Sequence, residues 1–281
     1  MRSVLAPCKI NLGLHVLRKR PDGFRDIDTV FLRIPWCDEI FYEHLSGGVR
    51  EMSNSDSALP TDERNLCMAA AVALAESMGV SDGFQLHLDK RVPYGAGLGS
   101  GSSDAAAVLM MLADEWGAVT EGAGGAGGGL QAIAATLGSD VPFFLGSPVA
   151  RGTGRGEELT PMEWQSPFSL VVAVPDVHVP TGPAYALVEP RSERRADLVD
   201  LIASNDLERW RAELVNDFQE PIIRAYPAVG AVLDALRDAG AGYAAMSGSG
   251  SAVYGVFESA GAARGVAEAM EMTGCRAWTD G

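Results

Sequence analysis

Lys9 and Asn11 stand two residues apart in the run Ala6-Pro7-Cys8-Lys9-Ile10-Asn11-Leu12-Gly13-Leu14, which is otherwise mostly apolar. In an extended strand that spacing puts both polar side chains on one face. An ammonium there either finds a partner or snorkels to water along its own stem, and the residues alone leave both readings open. A second run, Pro93-Tyr94-Gly95-Ala96-Gly97-Leu98-Gly99-Ser100-Gly101-Ser102-Ser103-Asp104, leads into Ala105-Ala106-Ala107. Alternating glycines let backbone approach an anion closely, and the unpaired amides of a following helix start donate to phosphate oxygens. No Gly-Lys-Ser/Thr completes a Walker A pattern, so this is a phosphate cradle of another type. A flexible linker is the alternative, but linkers seldom sit between an alternating strand (Phe84, Leu86, Leu88) and an Ala/Leu/Met helix at 105–112. A third run, Met246-Ser247-Gly248-Ser249-Gly250-Ser251-Ala252-Val253-Tyr254, either turns a hairpin or presents amides to an anion, and both can hold. Asp140 falls in a turn beyond Gly138, where turn formation alone explains an Asp.

These groups need elements to hold them. Residues 2–41 read as alternating strand broken by the Pro21-Asp22-Gly23 turn. Residues 47–62 are polar and turn-rich. Leu66, Ala69, Ala70, Ala73 and Leu74 mark one face of a helix beginning near Asn65, and 84–88 is a strand. Helices are expected at 105–116 and 130–137, separated by the glycine run 122–129, which reads as a mobile surface insertion. In the second half a strand at 170–174, helices near 196–202, 207–215 and 228–239, and strands at 243–246 and 252–257 follow. With no repeat period, this is an α+β arrangement in two lobes, 1–160 and 161–281.

The 281 residues, 47% hydrophobic, are enough for a substantial core and exclude disorder as the default. A formal net charge of -15 disfavours nucleic-acid backbones and anionic membrane surfaces, but not a nucleotide held by a local amide nest. Cys8, Cys37, Cys67 and Cys275 show no Cys-x-x-Cys spacing, and the four histidines no metal-ligand spacing. Reduced thiols, no zinc, no membrane span and no signal-like N-terminus describe an expected soluble cytoplasmic protein with no obligate protein partner.

Taken together, the three glycine-bearing runs, in this order, resemble the three motifs of the GHMP small-molecule kinases. Arg20-Pro21-Asp22-Gly23-Phe24-Arg25, Leu137-Gly138-Ser139-Asp140-Val141-Pro142-Phe143-Phe144, Gly152-Thr153-Gly154-Arg155-Gly156-Glu157 and Asn216-Asp217-Phe218-Gln219-Glu220-Pro221 narrow the resemblance. They are similar to the branch that phosphorylates the 2-hydroxyl of a cytidine-diphosphate-linked methylerythritol in the non-mevalonate isoprenoid route. The resemblance implies a two-lobed fold, an N-terminal mixed-sheet lobe and a C-terminal α/β lobe, with the active site in the cleft between them. It implies ATP and Mg2+ as cofactors and a small-molecule substrate with a cytidine diphosphate group.

Site residues follow by position in the motifs. Asp140 would be the general base for the acceptor hydroxyl, and Lys9 would pair with it and lower that hydroxyl's pKa. Pro93, Gly95, Ala96, Gly97, Leu98, Gly99, Ser100, Gly101, Ser102 and Ser103 would wrap the triphosphate. Ser102 or Ser103 would lie near Mg2+, with Ser102 taken as the metal contact. Asn65 would contact adenine, although helix capping explains it equally well. Asn11, Gly248 and Ser249 would hold the acceptor, and Phe24 and Tyr185 would sandwich the cytosine ring. Arg25 stands where the family commonly has His; it can donate to cytosine O2 or N3 but cannot accept from the N4 amino group. Arg151 and Arg155 default to solvated surface arginines.

Overall fold

The structure is a computed structural model that describes residues 1–117, 126–191, 193 and 195–281. Along the chain come the strands β1 (Arg2–Lys19), β2 (Arg25–Leu45) and β3 (Arg50–Asn54), helix α1 (Leu66–Met78), strand β4 (Gly83–Asp89), and helices α2 (Ser100–Glu115), α3 (Ala126–Leu137) and α4 (Val141–Phe144). Strands β5 (Val149–Thr153), β6 (Glu158–Pro161) and β7 (Ser169–Val174) follow, then helices α5 (Thr181–Ala186), α6 (Leu198–Ala203), α7 (Leu207–Glu213), α8 (Gln219–Ala225) and α9 (Pro227–Asp238). The chain ends with β8 (Tyr243–Met246), β9 (Val253–Phe257), α10 (Ala260–Met272) and β10 (Arg276–Thr279).

Two compact units are interleaved along the sequence. One comprises residues 1–8, 34–92 and 99–148, the other 9–33, 93–98 and 149–281. In the first unit β4 lies between β3, which it pairs with in parallel, and residues 39–45 of β2, antiparallel to it. Phe84, Leu86 and Leu88 of β4 alternate into the core, as the period of two requires. Helix α1 packs on α2. It starts at Asn65, whose side chain accepts from the Cys67 amide, and stops at Gly79 with φ 68°.

In the second unit residues 29–32 of β2 pair antiparallel with β5, and β5 with β6. A four-stranded antiparallel sheet has the order β10-β7-β9-β8. Val171 and Ala173 of β7 join Leu233 and Leu236 of α9 and Ala263 and Met270 of α10 in one buried cluster. At roughly 25 cal/mol per Å2 of apolar surface, such burial is the main stabilising term.

Several expectations change. Helix α2 begins at Ser100 rather than 105: Gly99, with φ 64°, starts it, and Ser103 N bonds Gly99 O. The serines and glycine of the cradle's second half are therefore the helix's first turn. Helix α3 begins at Ala126, inside the glycine run expected to be an insertion, while residues 122–125 lie outside the described residues. Strands β3, β5, β6 and β10 and helices α5, α8 and α10 were not expected. Most are too short for a period to be read, and α10 carries its buried face largely on alanines.

Candidate active site

The second unit gathers three of the chemically capable runs around Lys9. Its side chain is buried (4% exposed), in β1, with Nζ 5.3 Å from the centroid of the Phe31 ring. The ammonium donates to Asn11 Oδ1 at 2.7 Å and to the Gly97 carbonyl at 3.1 Å. The strand spacing thus places Lys9 and Asn11 together, as read from the sequence. Ser247 completes the cluster: its Oγ donates to Gly97 O at 2.9 Å and accepts from Asn11 N at 3.2 Å.

The first half of the cradle is held by its carbonyls. Ala96 O accepts from Ala252 N, Gly97 O from Lys9 and Ser247, and Leu98 O from Lys9 N. In a trans peptide the N–H points opposite to the C=O. Tying these three carbonyls to the protein therefore turns the amides of Gly97, Leu98 and Gly99 away from those bonds. Gly97 has φ 80°, and a Cβ there would collide with the Ser247 carbonyl. The third run turns the hairpin between β8 and β9, with Ser247 N bonded to Ala252 O. Asn216, buried, donates to both Met246 O and Gly248 O at 2.7 and 2.9 Å, which ties the Asn-Asp segment to this hairpin.

Also in this unit, Phe24 is 53% exposed, with the Arg155 guanidinium 4.9 Å from its ring centroid. Arg25 Nη2 donates to the Tyr185 carbonyl at 3.2 Å, and the Tyr185 ring meets Phe218 edge-on at 4.7 Å. Arg155 is not the bare surface cation expected: it also pairs with Glu157 at 3.1 Å. Arg151 is bidentate to Asp28 and reaches Asp197.

In the first unit Asp140 immediately precedes α4, with φ -87° and ψ -16° and no capping bond from its side chain to that helix. Ser103 is buried and donates its hydroxyl to the Pro7 carbonyl at 2.6 Å, whereas Ser102 is partly exposed. A Cβ on Gly138 would lie 3.8 Å from Ser102 Oγ, so the turn before Asp140 runs beside that hydroxyl. Asn65 accepts from Cys67 N and donates to Pro60 O, so both ends of its amide serve the helix start. Pro93 opens the glycine loop, and Gly248 and Ser249 lie in the turn between β8 and β9.

Sequence reading missed Arg155 over Phe24 and the hydroxyls of Ser247 and Thr29, which accepts from Asn11 Nδ2 at 2.9 Å. Ser247 lay in a quoted motif; Thr29 carried no local signal.

Residues 65–147 match the family described as GHMP kinases N terminal domain, and 198–274 match GHMP kinases C terminal. The 4-diphosphocytidyl-2-C-methyl-D-erythritol kinase of Salinibacter ruber is 49% identical over 272 residues, covering 95% of this chain and 93% of that protein. The Chlorobium limicola protein of the same name is 44% identical, covering 91% and 88%. A crystal structure of 4-(cytidine 5'-diphospho)-2C-methyl-D-erythritol kinase superposes with a TM-score of 0.84 at 34% identity, over 99% of this chain and 98% of that one. Homoserine kinase from Cytophaga hutchinsonii, at 19% identity and a TM-score of 0.73 over 99% and 92%, shares the fold.

Proposed function

This chain belongs to the 4-diphosphocytidyl-2-C-methyl-D-erythritol kinase family of the GHMP kinases and is an ATP-dependent small-molecule kinase, and from that premise we propose its acceptor and the work of its residues. The acceptor is the 2-hydroxyl of 4-diphosphocytidyl-2-C-methyl-D-erythritol, and the reaction supplies the non-mevalonate isoprenoid precursor pathway. What carries the assignment of roles is the seat of Lys9, a buried ammonium aimed by Asn11 Oδ1 and by the carbonyl of Gly97 inside the phosphate cradle.

Phosphoryl transfer asks for an aligned triphosphate, offset charge and a destination for the hydroxyl proton. Pro93 to Ser103 hold the phosphates, with the amides of Gly97, Leu98 and Gly99 and the first turn of α2 donating. Lys9 stabilises the oxygen that becomes an alkoxide, and Asp140 takes its proton. Asn11, Gly248 and Ser249 seat the acceptor. The exposed ring of Phe24 and the ring of Tyr185 stack on cytosine, and Arg25, anchored on the Tyr185 carbonyl, donates to the base. Asn65 shapes the adenine end chiefly by starting α1.

Among the described residues no three His, Cys, Asp or Glu side chains converge to hold a metal. Mg2+ takes most of its ligands from phosphate and water, and the partly exposed Ser102 hydroxyl in the first turn of α2 is the protein contact we assign to it. When bound, Mg2+ would offset phosphate charge. Among the described residues no helix is long and apolar enough to cross a membrane. From the small-molecule kinases it is similar to we infer a cytoplasmic protein, and from its formal net charge of -15 one that takes no nucleic-acid partner. The halves 1–160 and 161–281 serve as the ATP-binding and C-terminal domains, each containing one of the matched family segments.

ADP release from Mg-ATP is measured with 4-diphosphocytidyl-2-C-methyl-D-erythritol, homoserine, mevalonate and galactose in parallel. Turnover with the cytidyl acceptor alone is expected. Turnover with another alcohol overturns the acceptor and keeps the kinase.

A further inference from the structure

Thr29 lies on β2, behind Asn11, at the end of a chain of donors that starts at Lys9. Lys9 Nζ donates to Asn11 Oδ1 at 2.7 Å, Asn11 Nδ2 donates to Thr29 Oγ1 at 2.9 Å, and Thr29 Oγ1 donates to the Gly13 carbonyl at 2.6 Å. A hydroxyl has one proton and a carbonyl only accepts. With that proton committed to Gly13, the Thr29 oxygen can only accept, so only the amino end of the Asn11 amide fits against it. The carbonyl end must then face Lys9. The flipped amide would set NH2 against an ammonium and C=O against an oxygen with no proton left to give.

Neither group is open to bulk water: Thr29 is 0% and Asn11 1% exposed. A Cβ on Gly248 would lie 3.2 Å from Asn11 Oδ1, so the hairpin loop also closes over this carbonyl. We propose that Thr29 is a positioning residue for phosphoryl transfer: its hydroxyl, polarised by the Gly13 carbonyl, fixes the orientation of the Asn11 amide and thereby the direction of the Lys9 ammonium. The proposal rests on the reading of Lys9 as the catalytic lysine.

The test is Thr29→Val, which keeps the shape and removes the hydroxyl, beside Thr29→Ser, which restores it, each made in the wild type and in Lys9→Met. Thr29→Val is expected to lower kcat ~10- to 100-fold, the range for a misdirected catalytic group, with the KM for ATP changed by less than about threefold. Thr29→Ser should recover most of kcat. Because Thr29 acts through Lys9, adding Thr29→Val to Lys9→Met should cost less than about twofold more. Wild-type turnover in Thr29→Val, equal damage in Thr29→Ser, or the same loss in both backgrounds overturns the proposal.

An NMR readout separates this proposal from the reading it rests on. The Asn11 Nδ2 protons should exchange slowly with water in the wild type and in Thr29→Ser, and faster in Thr29→Val. Unchanged exchange overturns the lock whatever Lys9 does, whereas normal turnover in Lys9→Met overturns the catalytic reading of that lysine.

Discussion

Lys9 and Lys90 are both withdrawn from water, and the chain surrounds them differently. Among the Lys9 contacts inside its unit are an amide oxygen, a peptide carbonyl and an aromatic face, each of which orients an ammonium. Lys90, with a side chain 3% exposed, donates to Asp38 and Asp104 at 2.6 Å each, and those carboxylates are 0% and 3% exposed. Asp38 Oδ1 also accepts from the Arg91 and Val92 amides at 2.6 and 2.8 Å. Lys90 comes just before the glycine loop that starts at Pro93 and Asp104 just after it, in α2. The ion cluster therefore fastens both ends of the loop within one unit, while Lys9 is directed at the loop's own carbonyl. Contacts that direct the ammonium agree with the role we propose for Lys9, and a buried pair of carboxylates suits a lysine that holds structure.

Burial also pushes the Asp104 carboxyl up to about 7, against the pull of Lys90 and with Asp38 adding to it. Burial disfavours the Lys90 ammonium, but the charges of Asp104 and Asp38 prevail and its pKa is raised.

The comparison breaks first at turnover. Lys9→Met should lose on the order of 10³-fold in kcat, the scale of a group that stabilises developing charge, while ATP affinity measured by calorimetry stays within a few-fold. Near-normal kcat would erase the distinction between the two lysines. Lys90→Met should instead leave two buried carboxylates facing each other and cost about 3–5 kcal/mol of stability in denaturant unfolding. An unchanged unfolding midpoint would show that the cluster fastens nothing. Asn11→Asp puts a carboxylate where the Lys9 ammonium now meets an amide oxygen. Its kcat should fall ~10-fold as charge is diverted from the acceptor, and unaltered kcat would mean that neutrality at Asn11 does not matter.

The smallest effect is a slope. Unfolded Asp104 titrates near 3.8 and folded Asp104 near 7, so between those values the native state keeps a proton that the unfolded chain has released. Its contribution to stability therefore falls as pH rises through that window and is flat on either side. Asp104→Asn removes the group, so the wild-type Tm should decline relative to the variant from about pH 4 to pH 7. Parallel Tm curves would refute the raised carboxyl.

Much of this was legible beforehand because it rests on local rules. The strand at 84–88 and the helix after Asn65 follow from periodicity and a capping side chain, and both are present as β4 and α1. The hairpin strands at 243–246 and 252–257 also stand, as β8 and β9, the latter from Val253. Helix α2 starts five residues before the expected 105, because Gly99 in a left-handed conformation begins it there. Arg155 was read as a solvated cation, since nothing between residues 24 and 155 announces that its guanidinium will lie over Phe24.

The sequence by itself determined the family, the three glycine-bearing runs and the strand face that Lys9 and Asn11 share, because motif spacing and strand period are properties of neighbours along the chain. The tertiary structure alone decided which atoms restrain them. Thr29 is 18 residues from Asn11, Ser247 is 236, and Asp38 is 52 from Lys90. A hydrogen bond depends on ångström-scale distance and on which partner holds the proton, and residue types far apart along a chain specify neither until the chain has folded.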